Sequence, residues 1–110
     1  MDIQNHGFIN KGTSQLDDLR NNLDHIDRQL IELLGKRFEI TETIGQYKAC
    51  NDLPPQDKKR EYEQFEKISQ TAETCGLNSS TALTIYRCIM DIVICRHEEI
   101  KRLHLKTRQL

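Results

Sequence analysis

Two cations lie on one face of the first predicted helix. Arg37 stands where the apolar pattern calls for an apolar residue, between Leu33 and Ile40. Lys48 follows eleven residues later, and at about 100° per residue it falls within about 20° of the same face. A buried cation without a partner costs several kcal/mol, so an anion should meet Arg37. That anion is either a nearby glutamate or a bound ligand.

A third cation, Arg20, precedes Arg37 by seventeen residues. That separation leaves the two side chains about 260° apart around the helix, so they point in different directions. If both serve one ligand, one of them must come from another subunit. Symmetry would then give two sites in a dimer.

Further polar residues cluster at the start of the second predicted helix and on the third. The segment Gln56–Glu61 reads QDKKRE, and a helix N-terminus favours anions and hydroxyls. His97 interrupts an apolar seam between Val93 and Ile100. Several cations, one carboxylate and one histidine suit a small dianionic ligand that carries a hydroxyl. They offer neither the paired carboxylates of hydrolysis nor a nucleophile with its base.

Each of these residues also has an ordinary structural reading. Arg37 could pair with a neighbouring glutamate, and His97 could be a hydrogen-bonded core residue. Asp57 could serve only as an N-cap, and Glu61 only as a first-turn carboxylate favoured by the helix dipole. The remaining cations could be solvated helix charges: Arg20, Lys48 and Arg60.

The elements that must position these residues are helices, because apolar residues recur at steps of three and four and no segment alternates like a strand. The first helix is predicted from Ser14 to Cys50. It would be about 55 Å long. A globular domain of this size has a radius of gyration of only about 13 Å, so one chain cannot cover the helix along its length. We therefore expect an all-α fold of three helices that forms an intertwined homodimer.

Two shorter helices follow the first. Pro54 and Pro55 end the first helix, and the second is predicted from Gln56 or Asp57 to Gly76. Its apolar positions are Tyr62, Phe65, Ile68 and Ala72. Asn78, Ser79 or Ser80 caps the third helix, whose seam is Tyr86, Met90, Val93, His97, Ile100 and His104, widened by Ile89, Ile92 and Ile94. Residues 1–13 are expected to be a disordered tail, and residues 14–110 one domain.

The overall composition excludes several classes of partner. Sixteen Lys and Arg against seventeen Asp and Glu give a net charge of -1, which argues against nucleic acid or an anionic membrane surface. No apolar run approaches the roughly 20 residues of a membrane span, and the first residues do not resemble a signal peptide. We expect a cytoplasmic protein whose four cysteines are free thiols that bind no metal.

Three segments together resemble the all-helical chorismate mutase family. They are LDDLRNNLDHIDRQLIELLGKRFEITETIGQYK at 16–48, PPQDKKRE at 54–61 and CGLN at 75–78. The resemblance extends over about residues 14–104 without gaps. It implies an isomerase that rearranges chorismate to prephenate, in aromatic amino-acid biosynthesis or a related pathway, without a cofactor.

The resemblance also implies a role for each polar residue. Arg20 would reach the partner subunit's site and bind a substrate carboxylate there, and Arg37 would bind a carboxylate within its own subunit. Lys48 would donate to the ether oxygen whose bond to carbon breaks, and His97 would be the second donor to that oxygen. The family usually has glutamine at this position, and histidine can also donate, more strongly when protonated. Activity is then expected to rise as His97 becomes protonated.

The remaining site residues would line the pocket. Asp57 and Arg60 would lie near the substrate hydroxyl and the ring carboxylate, and Glu61 would accept a hydrogen bond from that hydroxyl. Val93 occupies a position where the family often has a serine that contacts a carboxylate. The alternatives are a lyase that removes pyruvate from isochorismate, a mutase for an aminated chorismate, a binding or regulatory dimer without catalysis, and a purely structural helical dimer.

Overall fold

The computed structural model describes residues 11–108, and the side chains from residue 14 onward. It contains three helices, α1 (Lys11–Cys50), α2 (Lys58–Thr74) and α3 (Ser79–Arg108), and no strand among the described residues. The predicted all-α fold is confirmed. Of the expected N-terminal tail, residues 1–10 lie outside the described residues, whereas residues 11–13 form the first turn of α1. The described chain divides into an N-terminal unit, 11–37, and a C-terminal unit, 38–108.

The N-terminal unit is the first part of α1, and its apolar seam is exposed. Each seam residue keeps between 45% and 62% of its surface accessible: Leu16, Leu19, Leu23, Ile26, Leu30 and Leu33. A single chain therefore leaves this stripe uncovered. Apolar residues spaced in this heptad-like way are typical of a helix surface that packs against another helix.

In the C-terminal unit, α1 ends where the prolines predict, in a turn closed by backbone hydrogen bonds. The Leu53 amide donates to the Lys48 carbonyl at 2.8 Å, and the Asp52 amide donates to the Ala49 carbonyl at 3.5 Å. This pair of bonds is the Schellman arrangement, which needs a left-handed residue. Asp52 takes that conformation, with φ of 56°. The turn fixes the backbone around Lys48.

Local signals also set the ends of α2 and the start of α3. Asp57 is the N-cap of α2, and its Oδ1 accepts from the Arg60 amide at 3.0 Å. At the other end Gly76 has φ of 76°, and the Leu77 amide donates to the Ala72 carbonyl at 2.8 Å. The helix proper ends at Thr74, two residues before the predicted Gly76. Asn78 caps α3, as predicted, by accepting from the Thr81 amide at 3.0 Å.

Small side chains make up much of the core of the C-terminal unit. Its buried side chains are those of Ala49, Ala72, Ala82, Met90, His97 and Ile100. Several predicted seam residues of this unit lie outside its core in the single chain, among them Ile40 at 62%, Tyr62 at 68% and Ile92 at 58% exposed. The periodicity identifies an apolar residue but not the surface that covers it.

Among the described residues, no helix combines the length and the apolarity needed to cross a membrane. The four cysteines are free and exposed, and no cluster of His, Cys, Asp and Glu side chains in this part of the chain is arranged to hold a metal ion.

Candidate active site

Lys48, near the end of α1, lies beside His97 of α3. Its Nζ atom is 3.4 Å from His97 Nδ1 and donates to the Pro55 carbonyl at 3.2 Å. The ammonium is therefore held between α3 and the segment that leads into α2. The structure brings together two predicted site residues that are 49 positions apart in the chain.

His97 is buried, with 4% of its surface exposed. Its Nε2 atom lies 2.7 Å from the backbone carbonyl oxygen of Thr41. Because a carbonyl can only accept, we assign the proton of the neutral ring to Nε2. Nδ1 then faces Lys48 as an acceptor. Sequence reasoning missed the Thr41 carbonyl, since a backbone group carries no sequence signal.

A glycine makes this contact between α1 and α3 possible. A methyl group added at Gly45 would lie 2.6 Å from His97 Cδ2 and 2.8 Å from Ile100 Cδ1. Both distances are shorter than van der Waals contact, so a larger residue would displace the imidazole. Gly45 is thus a positioning residue for His97.

A surface ion pair lies next to the buried histidine. Arg96 donates to both carboxylate oxygens of Glu42, at 2.9 and 2.7 Å, and also contacts Glu99. The hydrogen bonds from Arg96 hold the pKa of Glu42 below its ordinary value. This pair joins α1 to α3 through the chain neighbours of Thr41 and His97.

The beginning of α2 carries Asp57, Arg60 and Glu61 within one turn. Asp57 and Arg60 are exposed, and one carboxylate oxygen of Asp57 is engaged by the N-cap hydrogen bond. The N-cap reading of Asp57 is therefore correct, whether or not Asp57 also contacts a ligand. Lys48 Nζ binds the Pro55 carbonyl two residues before this N-cap, so the lysine and the start of α2 belong to one polar cluster.

Glu61 is the most enclosed carboxylate of that cluster, with a side chain only 13% exposed. Gln56 Nε2 donates to its Oε2 at 2.8 Å, and Arg87 Nη1 donates to its Oε1 at 3.2 Å. The Arg87 guanidinium also lies over the Phe65 ring, 4.4 Å from its centroid. No role was predicted for Arg87 from the sequence, because its pairing with Glu61 across 26 positions leaves no local signal.

The other predicted site residues are placed as follows. Val93 is half-buried on α3, one turn before His97. Arg20 and Arg37 belong to the N-terminal unit, where Arg20 is exposed and Arg37 is half-buried. Among the predicted site residues of the C-terminal unit, Lys48 and His97 are in direct contact.

Chemically, the cluster in the C-terminal unit can donate hydrogen bonds to an anionic oxygen and accept one from a hydroxyl. Lys48 supplies the first function and Glu61 the second. Two consecutive residues connect Lys48 to Glu61. The Pro55 carbonyl accepts from Lys48, and the Gln56 side chain donates to Glu61. This is an arrangement for binding and charge stabilisation, not for nucleophilic attack.

Comparison with known proteins gives the same family as the sequence segments. The family model described as chorismate mutase type II matches residues 19–98. The bifunctional chorismate mutase/prephenate dehydratase of Aquifex aeolicus is 33% identical over 94 residues, which cover 83% of this chain and 26% of the relative. The T-protein of Haemophilus influenzae is 32% identical over 75 residues, covering 68% of this chain and 20% of the relative. The chain thus spans about a quarter or less of each of these relatives.

Proposed function

The chain belongs to the chorismate mutase type II family, and on that premise we propose that it rearranges chorismate to prephenate. The reaction is pericyclic and needs no nucleophile, proton transfer or cofactor. The protein must hold the substrate in its folded diaxial conformation and stabilise the negative charge that develops on the ether oxygen. The observation that carries the proposal is the 3.4 Å approach of Lys48 to His97, next to the polar start of α2.

Cations bind and orient the substrate. Arg37 of one subunit and Arg20 of its partner would each bind a carboxylate, and Arg60 would lie near the ring carboxylate. Guanidinium groups bind carboxylates through two parallel hydrogen bonds, which fixes the orientation as well as the position. Orientation of this kind is the main contribution available to an enzyme whose reaction is unimolecular.

Lys48 and His97 act at the ether oxygen. Lys48 donates through its ammonium group, which carries three N–H donors. His97 Nε2 needs its proton for the Thr41 carbonyl, so Nδ1 can donate only when the ring is protonated. A protonated ring lies 3.4 Å from the Lys48 ammonium, and a bound dianion would offset that repulsion. The catalytic state proposed here therefore has both groups charged around the substrate.

Glu61 accepts a hydrogen bond from the ring hydroxyl, with Asp57 lining the pocket beside it. Each oxygen of Glu61 uses one acceptor position for Gln56 or Arg87 and keeps another free. Val93 offers only apolar contact at a position where a serine would donate a hydrogen bond. The three arginines must then supply the carboxylate binding without it.

The active molecule is a homodimer. In the single chain the α1 seam is exposed from Leu16 to Leu33, and a second copy of the same seam is a complementary apolar surface. Exposed apolar stripes of this length mark contact surfaces in proteins that do not aggregate. Pairing the long helices would also bring Arg20 of one subunit to the site of the other, as the spacing of Arg20 and Arg37 requires.

The test is the loss of chorismate absorbance with purified protein, with the product identified. We expect prephenate, and a rate reduced by about 100-fold or more in Arg37→Ala and Lys48→Ala. Lys36→Ala, which removes an exposed neighbouring cation, is the matched control and should retain its rate. No turnover by folded dimer would contradict the mutase. Turnover of isochorismate or of an aminated chorismate would then identify one of the related enzymes, and binding without turnover a regulatory dimer.

A further inference from the structure

The carboxylate of Glu61 is held on both of its oxygens before any ligand binds. Arg87 Nη1 donates to Oε1 at 3.2 Å, and Gln56 Nε2 donates to Oε2 at 2.8 Å. Gln56 is a neutral donor, whereas Arg87 brings a full positive charge against the carboxylate. The pair therefore presents hydrogen-bond acceptors whose net charge is close to zero.

Arg87 is itself fixed in place from three directions. Its guanidinium lies over the Phe65 ring at 4.4 Å, pairs with Glu61, and lies 3.9 Å from Asp91, one turn along α3. A cation over an aromatic ring and against a carboxylate loses little further freedom when a ligand binds. The charge of Arg87 is thus a fixed feature of the surroundings of Glu61, although the side chain is half exposed.

A neutral hydroxyl and a positive ammonium respond differently to such a pair. The hydroxyl needs only an acceptor, and each Glu61 oxygen retains one. The ammonium gains its binding energy from the charge of the carboxylate, which Arg87 opposes at short range. An aliphatic amine is largely protonated at neutral pH, so an aminated substrate would meet this repulsion.

We infer that Arg87 is a specificity-determining residue that makes the Glu61 end of the site select a ring hydroxyl over a ring ammonium. The inference rests on the proposed function, in which Glu61 faces that ring substituent. Arg87 would thus distinguish chorismate from its aminated analogue. Glu61 alone does not make this choice, because a carboxylate can bind either a hydroxyl or an ammonium.

The test compares kcat/KM for chorismate with that for the analogue in which an amino group replaces the ring hydroxyl. Arg87→Met removes the charge but keeps an apolar stem over Phe65, and Arg87→Gln is a second neutral variant in case the first folds poorly. In either variant the ratio should shift toward the aminated substrate by about tenfold, the shift being limited by the partial exposure of Arg87. Arg87→Lys, which keeps the charge, should preserve more of the wild-type preference.

Asp91→Asn is the matched control, because it removes the other partner of Arg87 without touching Glu61. Because Asp91 is 64% exposed and solvent screens its charge, this change should alter the ratio much less than either neutral Arg87 variant does, and toward chorismate. An unchanged ratio in folded Arg87→Met and Arg87→Gln would overturn the inference while leaving the mutase activity intact. A wild-type protein that turns over neither substrate would instead contradict the proposed function, so the two failures are distinguishable.

Discussion

The Nδ1 atom of His97 lies 3.4 Å from the Nζ atom of Lys48, and the other ring nitrogen is committed to the Thr41 carbonyl at 2.7 Å. In the neutral ring Nδ1 is therefore an acceptor for the lysine and has no proton to offer a ligand. In the protonated ring it becomes a donor pointing into the same region. Whether Nδ1 of this buried ring accepts or donates thus depends on the protonation state of the ring.

The first prediction concerns His97→Gln. The wild-type kcat should rise as pH falls through the range in which imidazoles titrate, because only the protonated ring can donate from Nδ1. A glutamine amide donates regardless of pH, so the variant should lose this dependence while remaining active near neutrality. Steady-state rates between about pH 5 and pH 9 measure both profiles.

His104→Gln is the matched control for that experiment, since His104 is half-buried on α3 outside the polar cluster. Its profile should match the wild type. Lys48 and Glu42 are the other charged groups that act on His97, and the pKa of Glu42 is held below its ordinary value by Arg96. A flat wild-type profile in a folded sample would contradict the donor role of the protonated ring.

The second prediction is that Gly45→Ala displaces His97. The added methyl group would lie 2.6 Å from His97 Cδ2, so α1 and α3 must separate or the ring must rotate. We expect a loss of stability of about 1–3 kcal/mol, typical of overpacking, together with a lower kcat. Urea unfolding gives the stability, and the NMR shifts of the His97 ring give its displacement.

Gly35→Ala provides the comparison, because beyond its chain neighbours and the adjacent backbone of its own helix, no atom of the described chain lies within 4 Å of its added methyl group. In a helix that change should be neutral or stabilise by up to about 1 kcal/mol. Equal effects of the two substitutions would indicate that helix propensity, and not the contact with His97, decides the result at Gly45.

The helices and their ends were predictable because their signals are local. Pro54 and Pro55 stop α1, Gly76 takes the left-handed conformation after α2, and Asn78 caps α3. Each signal acts within a few residues of itself. Lys48 and His97 were candidates for the same reason, since each occupies a definite position in a helical pattern.

The partners of those residues were not predictable from the sequence. Arg87 meets Glu61 across 26 positions, and His97 meets a carbonyl of Thr41 across 56. Such pairs depend on how helices pack, and a backbone acceptor is the same at every residue. Periodicity likewise marked Tyr62 as apolar but could not show that a single chain leaves it exposed.

The third prediction concerns stability in acid. The hydrogen bonds from Arg96 lower the pKa of Glu42 from its ordinary 4.5, so the folded chain binds fewer protons there than the unfolded chain. This contribution is present above the ordinary pKa and is lost as pH falls through the lowered value. Glu42→Gln should therefore unfold slightly more easily than wild type at neutral pH, and the difference should shrink toward zero in strong acid.

Urea unfolding at several pH values measures that difference. It should be small, because both side chains are about two-fifths exposed and solvent screens the pair. Glu63→Gln, which removes an exposed carboxylate from α2, is the control for the change in net charge. A difference between Glu42→Gln and wild type that grows as pH falls would contradict the assigned direction of the pKa shift.

The fourth prediction is that two inactive variants restore activity when mixed. Arg20→Ala and Arg37→Ala should each be inactive as homodimers, since every site lacks one arginine. If Arg20 acts in the partner's site, a mixed dimer contains one site with both arginines and one with neither. Unfolding an equal mixture and refolding it together should then restore about a quarter of the wild-type activity, because half of the dimers are mixed and half of their sites are intact.

Leu23→Glu, introduced into both variants, should abolish this recovery, because it places a charge in the exposed α1 seam and prevents pairing. Asn21→Glu, on the opposite face of the helix, should not. Sedimentation of the same samples reports whether dimers form. Stable mixed dimers without recovered activity would mean that Arg20 and Arg37 of one chain serve the same site, and the intertwined arrangement would then be wrong even though the chain dimerises.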